Sequence, residues 1–248
     1  YRALKAQGKN EEEIEAAFEQ SQQMKVFTWG EDAGEFQEMT PIDSLKHYLT
    51  LLHTGLIAME PKTGLVRAWV GGTDFGYFQY DHVKSRRQVG STFKPLVYLE
   101  ALQQGMMPCE YTPNELVTYE EYKDWQPRNS DGKYGGVYSM EGALSHSVNT
   151  VTVELLMRSG IEPIRQLAQN LGMSDRIPEE PSIALGTMEA SLFDMVQVYG
   201  TFANEGRKPM IHYLDRVETS NGDTLIQFER PAPALSSRWY RVRTTWYW

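Results

Sequence analysis

Two residues that could serve as a nucleophile and its base stand three positions apart in the chain. Ser91 and Lys94 form a Ser-x-x-Lys motif, with Gly90 before it and Pro95 after it. A serine hydroxyl becomes an effective nucleophile when a neighbouring group takes its proton, and a lysine desolvated in a cleft can be that group. Because residues three apart share a helix face, the spacing predicts a nucleophile–base pair.

Pro95 indicates where the helix that carries this pair begins. Proline is best tolerated in the first helical turn, where amide protons lack intrahelical partners. We therefore expect the helix to start very near Ser91, with the Ser91 hydroxyl at the positive end of the helix dipole. The competing interpretation is that Ser91 only caps the helix and Lys94 is a solvated surface residue.

A second pair of polar residues, Ser147 and Asn149, lies at an interruption between two helical stretches. At such a break a hydroxyl and a carboxamide can point into a cleft. Ser147 could then relay a proton between the lysine and a leaving amine, and Asn149 could hold a substrate amide. The alternative is that both residues only end and begin helices.

The elements that must position these groups predict an α+β fold. Apolar spacing and capping residues predict helices over 10–23, from Pro41, from Ser91, over 140–159 with a break at 145–149, over 161–171 and over 192–204. Alternating apolar residues around Gly-rich turns predict hairpins over 55–72 and 211–228, a linker or extended segment over 25–40, and a long aromatic-rich excursion over 105–138. This order differs from regular βαβ alternation.

Composition excludes several classes of protein. The 248 residues carry a net charge of −9 and contain no apolar run long enough for a transmembrane helix, so neither nucleic-acid binding nor membrane spanning is predicted. The single cysteine, Cys109, excludes an internal disulfide and a multi-cysteine zinc site. The five histidines show no ligand spacing, so we predict no metal and no cofactor.

Several separated motifs in one order carry a resemblance to a known family. The stretches 87–95 and 143–149 resemble the transpeptidase domain of class A penicillin-binding proteins, which join a peptidoglycan glycosyltransferase to a DD-transpeptidase. Further similar stretches are 56–64, 70–72, 125–129, 184–186 and 199–206. The resemblance implies a serine DD-peptidase/β-lactamase-like fold, with a helical subdomain beside an antiparallel sheet whose C-terminal strands are missing.

The resemblance also assigns roles to single residues. Ser91 resembles the acylated nucleophile, Lys94 its general base, Ser147 the proton shuttle and Asn149 the contact to the substrate amide, and the Ser91 N–H would be half of the oxyanion hole. Trp125 is a candidate substrate-binding residue, although simple packing explains it equally well. The implied reaction is acyl transfer from D-Ala-D-Ala stem peptides during peptidoglycan synthesis, with β-lactams acylating the same serine.

The resemblance further implies a domain organisation and a location. We expect residues 1–40 to be a linker after a glycosyltransferase domain, 41–230 a partial transpeptidase domain and 231–248 a tail outside the family. The chain begins Tyr1-Arg2 rather than with methionine, so it is expected to be an internal piece of a longer protein. Its implied place is the periplasmic face of the bacterial inner membrane, anchored by a preceding segment.

One departure from the family pattern concerns its third motif, a Lys-Thr/Ser-Gly strand after the Ser-x-Asn motif. The Lys-Thr-Gly of this chain, at residues 62–64, precedes Ser91 and is interpreted as a hairpin turn. Without the strand, the strand near 55–60 would have an unpaired edge. We therefore predict that this chain is destabilised, prone to associate, and inactive or nearly so.

Two alternatives stay open. A serine β-lactamase also uses Ser-x-x-Lys, but it needs a further base that hydrolyses the acyl-enzyme, and no residue here is singled out for that role. A non-catalytic module that senses β-lactams or binds peptidoglycan is compatible with the displaced third motif.

Overall fold

The described part of the chain forms two compact units. The structure is a computed structural model and describes residues 1–30, 33–173 and 176–228. One unit comprises Tyr1–Thr54 with Gly71–Tyr80, and the other comprises Gly55–Val70 with the chain from Asp81. Helices and antiparallel strand pairs occur together, which confirms the α+β prediction. The predicted tail at 231–248 lies outside the described residues.

The first unit pairs short helices with a hairpin. Its elements are α1 (Arg2–Ala6), α2 (Glu11–Glu19), β1 (Gln22–Val26), β2 (Glu35–Met39) and α3 (Pro41–Thr50). The predicted N-terminus of α2 is confirmed, since Asn10 and Glu13 form a reciprocal capping box. The predicted end is wrong, because α2 stops at Glu19 and the chain turns into β1.

Residues 25–40, predicted to be a linker or an extended segment, contain the end of β1 and all of β2, so the extended interpretation holds for part of this range. β1 and β2 pair antiparallel, with Met24 opposite Gln37 and Val26 opposite Glu35. Met24 and Val26 alternate with polar residues, and Val26 is buried, so this strand follows a period of two with one face covered. The alternation is only two apolar residues long, which is why the sequence signal is weak.

The strands of the second unit form antiparallel pairs within the described residues. They are β3 (Leu56–Met59), β4 (Val66–Val70), β5 (Arg87–Gln88), β6 (Tyr111–Pro113), β7 (Val137–Ser139), β8 (Glu189–Ala190), β9 (Arg216–Glu218) and β10 (Thr224–Gln227). The pairs are β3–β4, β5–β8, β6–β7 and β9–β10, so both predicted hairpins are confirmed. Leu56 and Val70, which lie opposite each other in β3–β4, are each about half exposed.

The helices of the second unit enclose its core. They are α4 (Lys94–Gln103), α5 (Met140–Ser145), α6 (Asn149–Ser159), α7 (Ile161–Leu171) and α8 (Leu192–Ala203). Leu96 and Val97 of α4 and Val151 and Leu155 of α6 are buried in one cluster, each contributing about 1.5–3 kcal/mol of burial free energy. The core therefore joins the helix after Ser91 to the helix after Ser147. In the described part of the chain, no helix has the length and apolar character to cross a membrane.

The backbone just before Ser91 is fixed by a close approach of two glycines. Gly90 donates its N–H to the carbonyl of Gly186 over 2.9 Å, next to the β5–β8 pair. Gly186 has φ +70°, and a Cβ there would lie 1.9 Å from the Gly90 carbonyl oxygen. Gly186 therefore meets two demands, a left-handed backbone and a space without a side chain.

We expect Gly186→Ala to lower the free energy of unfolding by about 3 kcal/mol or more, because the new methyl group collides with backbone that cannot move freely. Gly132→Ala is the matched control, since Gly132 has φ +66° and open space around its Cα. That control should cost only about 1 kcal/mol of left-handed strain. Chemical denaturation of both variants measures the difference, and equal losses would contradict the close approach.

Candidate active site

Ser91 stands on an exposed turn that leads into α4. Residues Gly90–Phe93 form a 3₁₀ turn, and the α-helix itself begins at Lys94 with Pro95 in its first turn. The predicted helix start near Ser91 is therefore confirmed to within one turn. Phe93 is fully buried while Ser91 is exposed, so the turn is anchored on its inner side and presents the hydroxyl outward.

Lys94 lies beneath that turn with 1% of its surface exposed. Its Nζ donates to the Ser147 carbonyl over 2.6 Å, to the Ser147 Oγ over 2.9 Å and to the Asn149 Oδ1 over 2.6 Å. Three acceptors match the three N–H bonds of an ammonium group, which is what a buried lysine requires. Burial disfavours the charged form and lowers the pKa of Lys94 to about 8.

Ser147 occupies a left-handed position at the end of α5. Its φ is +54°, its N–H donates to Leu144 O, and the next N–H, of Val148, donates to Ala143 O. This is the Schellman arrangement, in which glycine is the usual residue. A serine there costs about 1 kcal/mol of backbone strain. The strained turn directs the Ser147 Oγ to the Ser91 Oγ, to which it donates over 3.1 Å.

Asn149 is the first residue of α6, directly after the break that the sequence predicts. Its Oδ1 accepts from Lys94 Nζ, and its Nδ2 donates to the Arg128 carbonyl over 2.7 Å. The carboxamide therefore joins the buried amine to the long excursion. Among the described hydrogen bonds of Asn149, one Nδ2 hydrogen is used and the second is left for another acceptor.

The structure brings four of the five predicted site residues together. Lys94 Nζ donates to the Ser147 Oγ and to the Asn149 Oδ1, and the Ser147 Oγ donates to the Ser91 Oγ. The sequence predicts a direct Ser91–Lys94 pair, whereas the described contacts place Ser147 between them. The cluster is an exposed hydroxyl joined by a second hydroxyl to a buried amine, and it can move a proton inward as the outer oxygen attacks.

Trp125, the fifth residue, has its described contacts elsewhere in the excursion. Its carbonyl accepts from the Tyr119 N–H over 2.9 Å, and its ring lies 6.0 Å from that of Tyr119. The side chain is half-buried against the core. These contacts fit the packing interpretation, and a substrate-binding role for Trp125 stays a prediction.

Two residues of the excursion belong to the site although the sequence analysis assigned them no role. The Arg128 carbonyl holds the Asn149 carboxamide, and the Asn129 Oδ1 accepts from the backbone N–H groups of Asn149 and Thr150. Both lie in the stretch 125–129 that carries part of the family resemblance, so a signal was present. The roles of Arg128 and Asn129 could not be predicted from residue type, because Arg128 acts through its main-chain oxygen and Asn129 caps a helix about twenty residues away in sequence.

Other candidates are placed away from this cluster. Residues 62–64 form the turn between β3 and β4, where Gly64 has φ +78°, so the interpretation as a turn is confirmed. Cys109 is an exposed free thiol. Across the described residues, no group of three or more histidine, cysteine or acidic side chains is arranged to hold a metal ion.

The fold is that of a penicillin-binding transpeptidase domain, and comparisons with known proteins agree. Residues 54–234 match the family model for the penicillin-binding protein transpeptidase domain, and residues 1–52 match the model for the penicillin-binding protein middle domain. The chain therefore belongs to the penicillin-binding protein transpeptidase family. Penicillin-binding protein 1A of Neisseria meningitidis, a class A homologue, is 35% identical over 185 residues, covering 72% of this chain and 23% of the relative. The chain thus spans about a quarter of that relative's length.

Solved structures resemble the same region. The crystal structure of penicillin-binding protein 1A from Haemophilus influenzae superposes with a TM-score of 0.69 at 22% identity, covering 79% of this chain and 29% of that one. The PonA1 protein of Mycobacterium tuberculosis in complex with penicillin V gives a TM-score of 0.62 at 20% identity, covering 91% and 62%. At these identities the likeness supports the fold.

We expect Ser147→Gly to be more stable than Ser147→Ala by about 1 kcal/mol, because both variants lose the hydroxyl but only glycine relieves the left-handed strain. Urea denaturation of the two variants side by side isolates that difference. Equal stability would mean that the backbone at this position relaxes when the side chain changes.

The Lys94 amine is expected to titrate near pH 8 in the folded protein. In the unfolded chain it keeps its proton up to its ordinary value of 10.5, so between the two values unfolding takes up a proton. The free energy of unfolding, relative to Lys94→Met, should therefore rise with pH across this window. NMR of ¹³C-labelled lysine, assigned by the signal lost in Lys94→Arg, measures the midpoint. A midpoint near 10.5 would contradict the burial of the amine.

Proposed function

We propose that this domain is a serine DD-transpeptidase that transfers the acyl group of D-Ala-D-Ala stem peptides through an acyl-Ser91 intermediate. The observation that carries the proposal is the chain of hydrogen bonds from the exposed Ser91 hydroxyl through Ser147 to the buried Lys94 amine. Family membership supports it, because the matching model is that of the penicillin-binding transpeptidase domain.

Lys94 is proposed as the general base, acting through Ser147. With a pKa of about 8, about one Lys94 amine in ten is neutral at pH 7, against about one in 3,000 for an amine that titrates at 10.5. In the structure Lys94 donates to Ser147 and Ser147 donates to Ser91, so the relay requires a neutral amine and a rotation of both hydroxyl hydrogens. The neutral Nζ then accepts the Ser147 proton while the Ser147 Oγ accepts the Ser91 proton. The lowered pKa therefore raises the fraction of competent enzyme by about 300-fold at neutral pH.

The reaction proceeds in two balanced steps. The Ser91 Oγ bonds to the penultimate D-Ala carbonyl carbon, its proton passes inward, the C–N bond to the terminal D-Ala breaks, and the proton leaves on that amine. An amine of a neighbouring stem peptide then bonds to the acyl carbon and gives up one proton, the Oγ–C bond breaks, and the Ser91 oxygen receives that proton through the same relay. The Ser91 N–H is proposed as one oxyanion donor. The leftover Nδ2 hydrogen of Asn149 is proposed to bind the substrate amide, with Trp125 as a further substrate contact.

β-Lactams are proposed to acylate Ser91, since they present a strained amide to the same nucleophile. A structural neighbour, PonA1, is described in complex with penicillin V, which supports this proposal. The location proposed is the periplasmic face of the bacterial inner membrane, in a longer protein that also carries an anchor and a glycosyltransferase domain. Residues 1–40 are proposed as the segment that follows that domain.

We expect prolonged incubation with a fluorescent penicillin to give a slow adduct on Ser91, because the Lys-Thr-Gly of this chain precedes the site and the family's third motif is not found after Asn149. Peptide mass spectrometry locates the adduct. Ser91→Ala should abolish it, and Ser145→Ala, a neighbouring exposed serine, should retain it.

The outcomes separate the remaining functions. Sustained nitrocefin turnover would indicate a β-lactamase, and binding of stem peptide without any adduct would indicate a sensing or binding module. Rapid stoichiometric labelling with a cooperative thermal transition would overturn the prediction that this chain alone is nearly inactive, while supporting the transpeptidase assignment.

A further inference from the structure

A cluster of three polar side chains behind the site, Asn114, Asn129 and Thr150, is called here the asparagine clasp. Asn114 and Thr150 are buried, with 3% and 4% of their surfaces exposed. The Asn114 Oδ1 accepts from Asn129 Nδ2 and from Thr150 Oγ1, each over 2.7 Å. The clasp thus ties the excursion at 105–138 to the start of α6.

The start of α6 depends on this clasp for its cap. The residue in the capping position is Val148, whose side chain offers no hydrogen-bond acceptor. The Asn129 Oδ1 takes its place and accepts from the N–H groups of Asn149 over 2.9 Å and Thr150 over 3.2 Å. A helix usually receives this acceptor from its own preceding residue, whereas here it comes from a separate segment.

The orientation of the Asn129 carboxamide is fixed at both ends. Its Nδ2 donates to the Asn114 Oδ1 and to the Lys133 carbonyl over 2.8 Å, while its Oδ1 faces two N–H groups. Asn114 is held in turn, because its own N–H donates to the Gly136 carbonyl and its carbonyl accepts from the Gly135 N–H. If the Asn129 carboxamide were flipped, its Nδ2 would face two N–H donors and its Oδ1 would face two oxygen acceptors.

We propose that Asn129, held by the clasp, is a positioning residue that fixes the Asn149 carboxamide and, through it, the Lys94 amine. The link is short, since Asn129 binds the backbone of Asn149 and the side chain of Asn149 binds Lys94 Nζ over 2.6 Å. The consequence for catalysis rests on the proposed function, whereas the consequence for the position and titration of Lys94 does not.

Two substitutions separate positioning from mere stability. Asn129→Ala removes the cap, so the Asn149 carboxamide loosens, the ammonium form of Lys94 loses an acceptor, and its titration midpoint falls. Asn129→Asp keeps an acceptor for the two N–H groups and adds a negative charge near the amine, so the midpoint rises, by about half a unit to one unit. Its second oxygen faces the Asn114 Oδ1 and the Lys133 carbonyl in place of a donor, so this variant is also expected to lose stability. A residue that only stabilises the fold would leave the midpoint unchanged in Asn129→Ala, whereas the added charge of Asn129→Asp acts on the amine in either case.

The experiment uses the full 248-residue chain with ¹³C-labelled lysine and records the Lys94 midpoint by NMR in the wild type and both variants. Asn170→Ala, an exposed asparagine on α7, is the matched control and should leave the midpoint unchanged. An Asn129→Ala midpoint equal to that of the wild type would overturn the proposal, and a fall in Asn129→Ala together with a rise in Asn129→Asp would support it.

Amide hydrogen exchange gives a second readout that needs no titration and includes a milder variant. Asn129→Ala should speed exchange at Asn149 and Thr150 at least tenfold, and Thr150→Val, which removes only the hydroxyl that binds Asn114, should speed it less. Unchanged exchange rates in both variants would contradict the proposal that the asparagine clasp caps α6, and this result does not require Asn129→Asp to fold.

The acylation rate distinguishes this inference from the proposed function. If the wild type forms the penicillin adduct, Asn129→Ala should form it at least tenfold more slowly, and an unchanged rate would overturn the positioning role while leaving the function intact. If the wild type forms no adduct, the proposed function of this chain fails. The NMR midpoints and the exchange rates still test whether Asn129 positions Asn149 and Lys94.

Discussion

The site depends on the burial of the Lys94 amine away from water and on hydrogen-bond acceptors for its three N–H bonds. Lys94 is buried beneath an exposed serine, and its three contacts go to Ser147 twice and to Asn149 once. A buried ammonium without partners would be very costly, while an amine left in water would stay protonated at neutral pH. Much of the local structure meets these two demands, from the strained turn at Ser147 to the remote cap on α6.

Lys94 is contacted by residues on either side of the α5–α6 break, and the two sides differ in backbone strain. Ser147 has a strained backbone, whereas the start of α6 is stabilised by a hydrogen bond from a separate segment. At the break between α5 and α6, Ser147 occupies a left-handed backbone position that glycine adopts with less strain. Its hydroxyl hydrogen-bonds to both Ser91 and Lys94. The other side is supported without strain, because Asn129 supplies an acceptor that Val148 cannot. Gly186 contributes from a third segment by allowing its backbone to approach Gly90 closely. At Ser147 the local conformational cost presents a hydroxyl to the other groups of the site.

The sequence predicts the parts of this arrangement whose signals are local. The Ser-x-x-Lys spacing with Pro95, the helix break before Asn149 and the turn at Gly64 each depend on a few neighbouring residues, and each is found. The strand at Gln22–Val26 was missed because its alternation covers only two apolar residues. The intermediate position of Ser147 and the cap from Asn129 were also missed, because they are tertiary contacts between segments about twenty or more residues apart.

The contacts that complete the site join Ser91 and Lys94 to residues 53–56 positions later in the chain. Contacts of such sequence separation form only when the intervening loop closes, so they are lost whenever α4 and α6 come apart. A partly folded molecule in which α4 and α6 are apart would lack the Ser147 and Asn149 acceptors of Lys94. Covalent labelling of Ser91 would therefore count correctly assembled molecules and could serve as a gauge of folding yield for this domain.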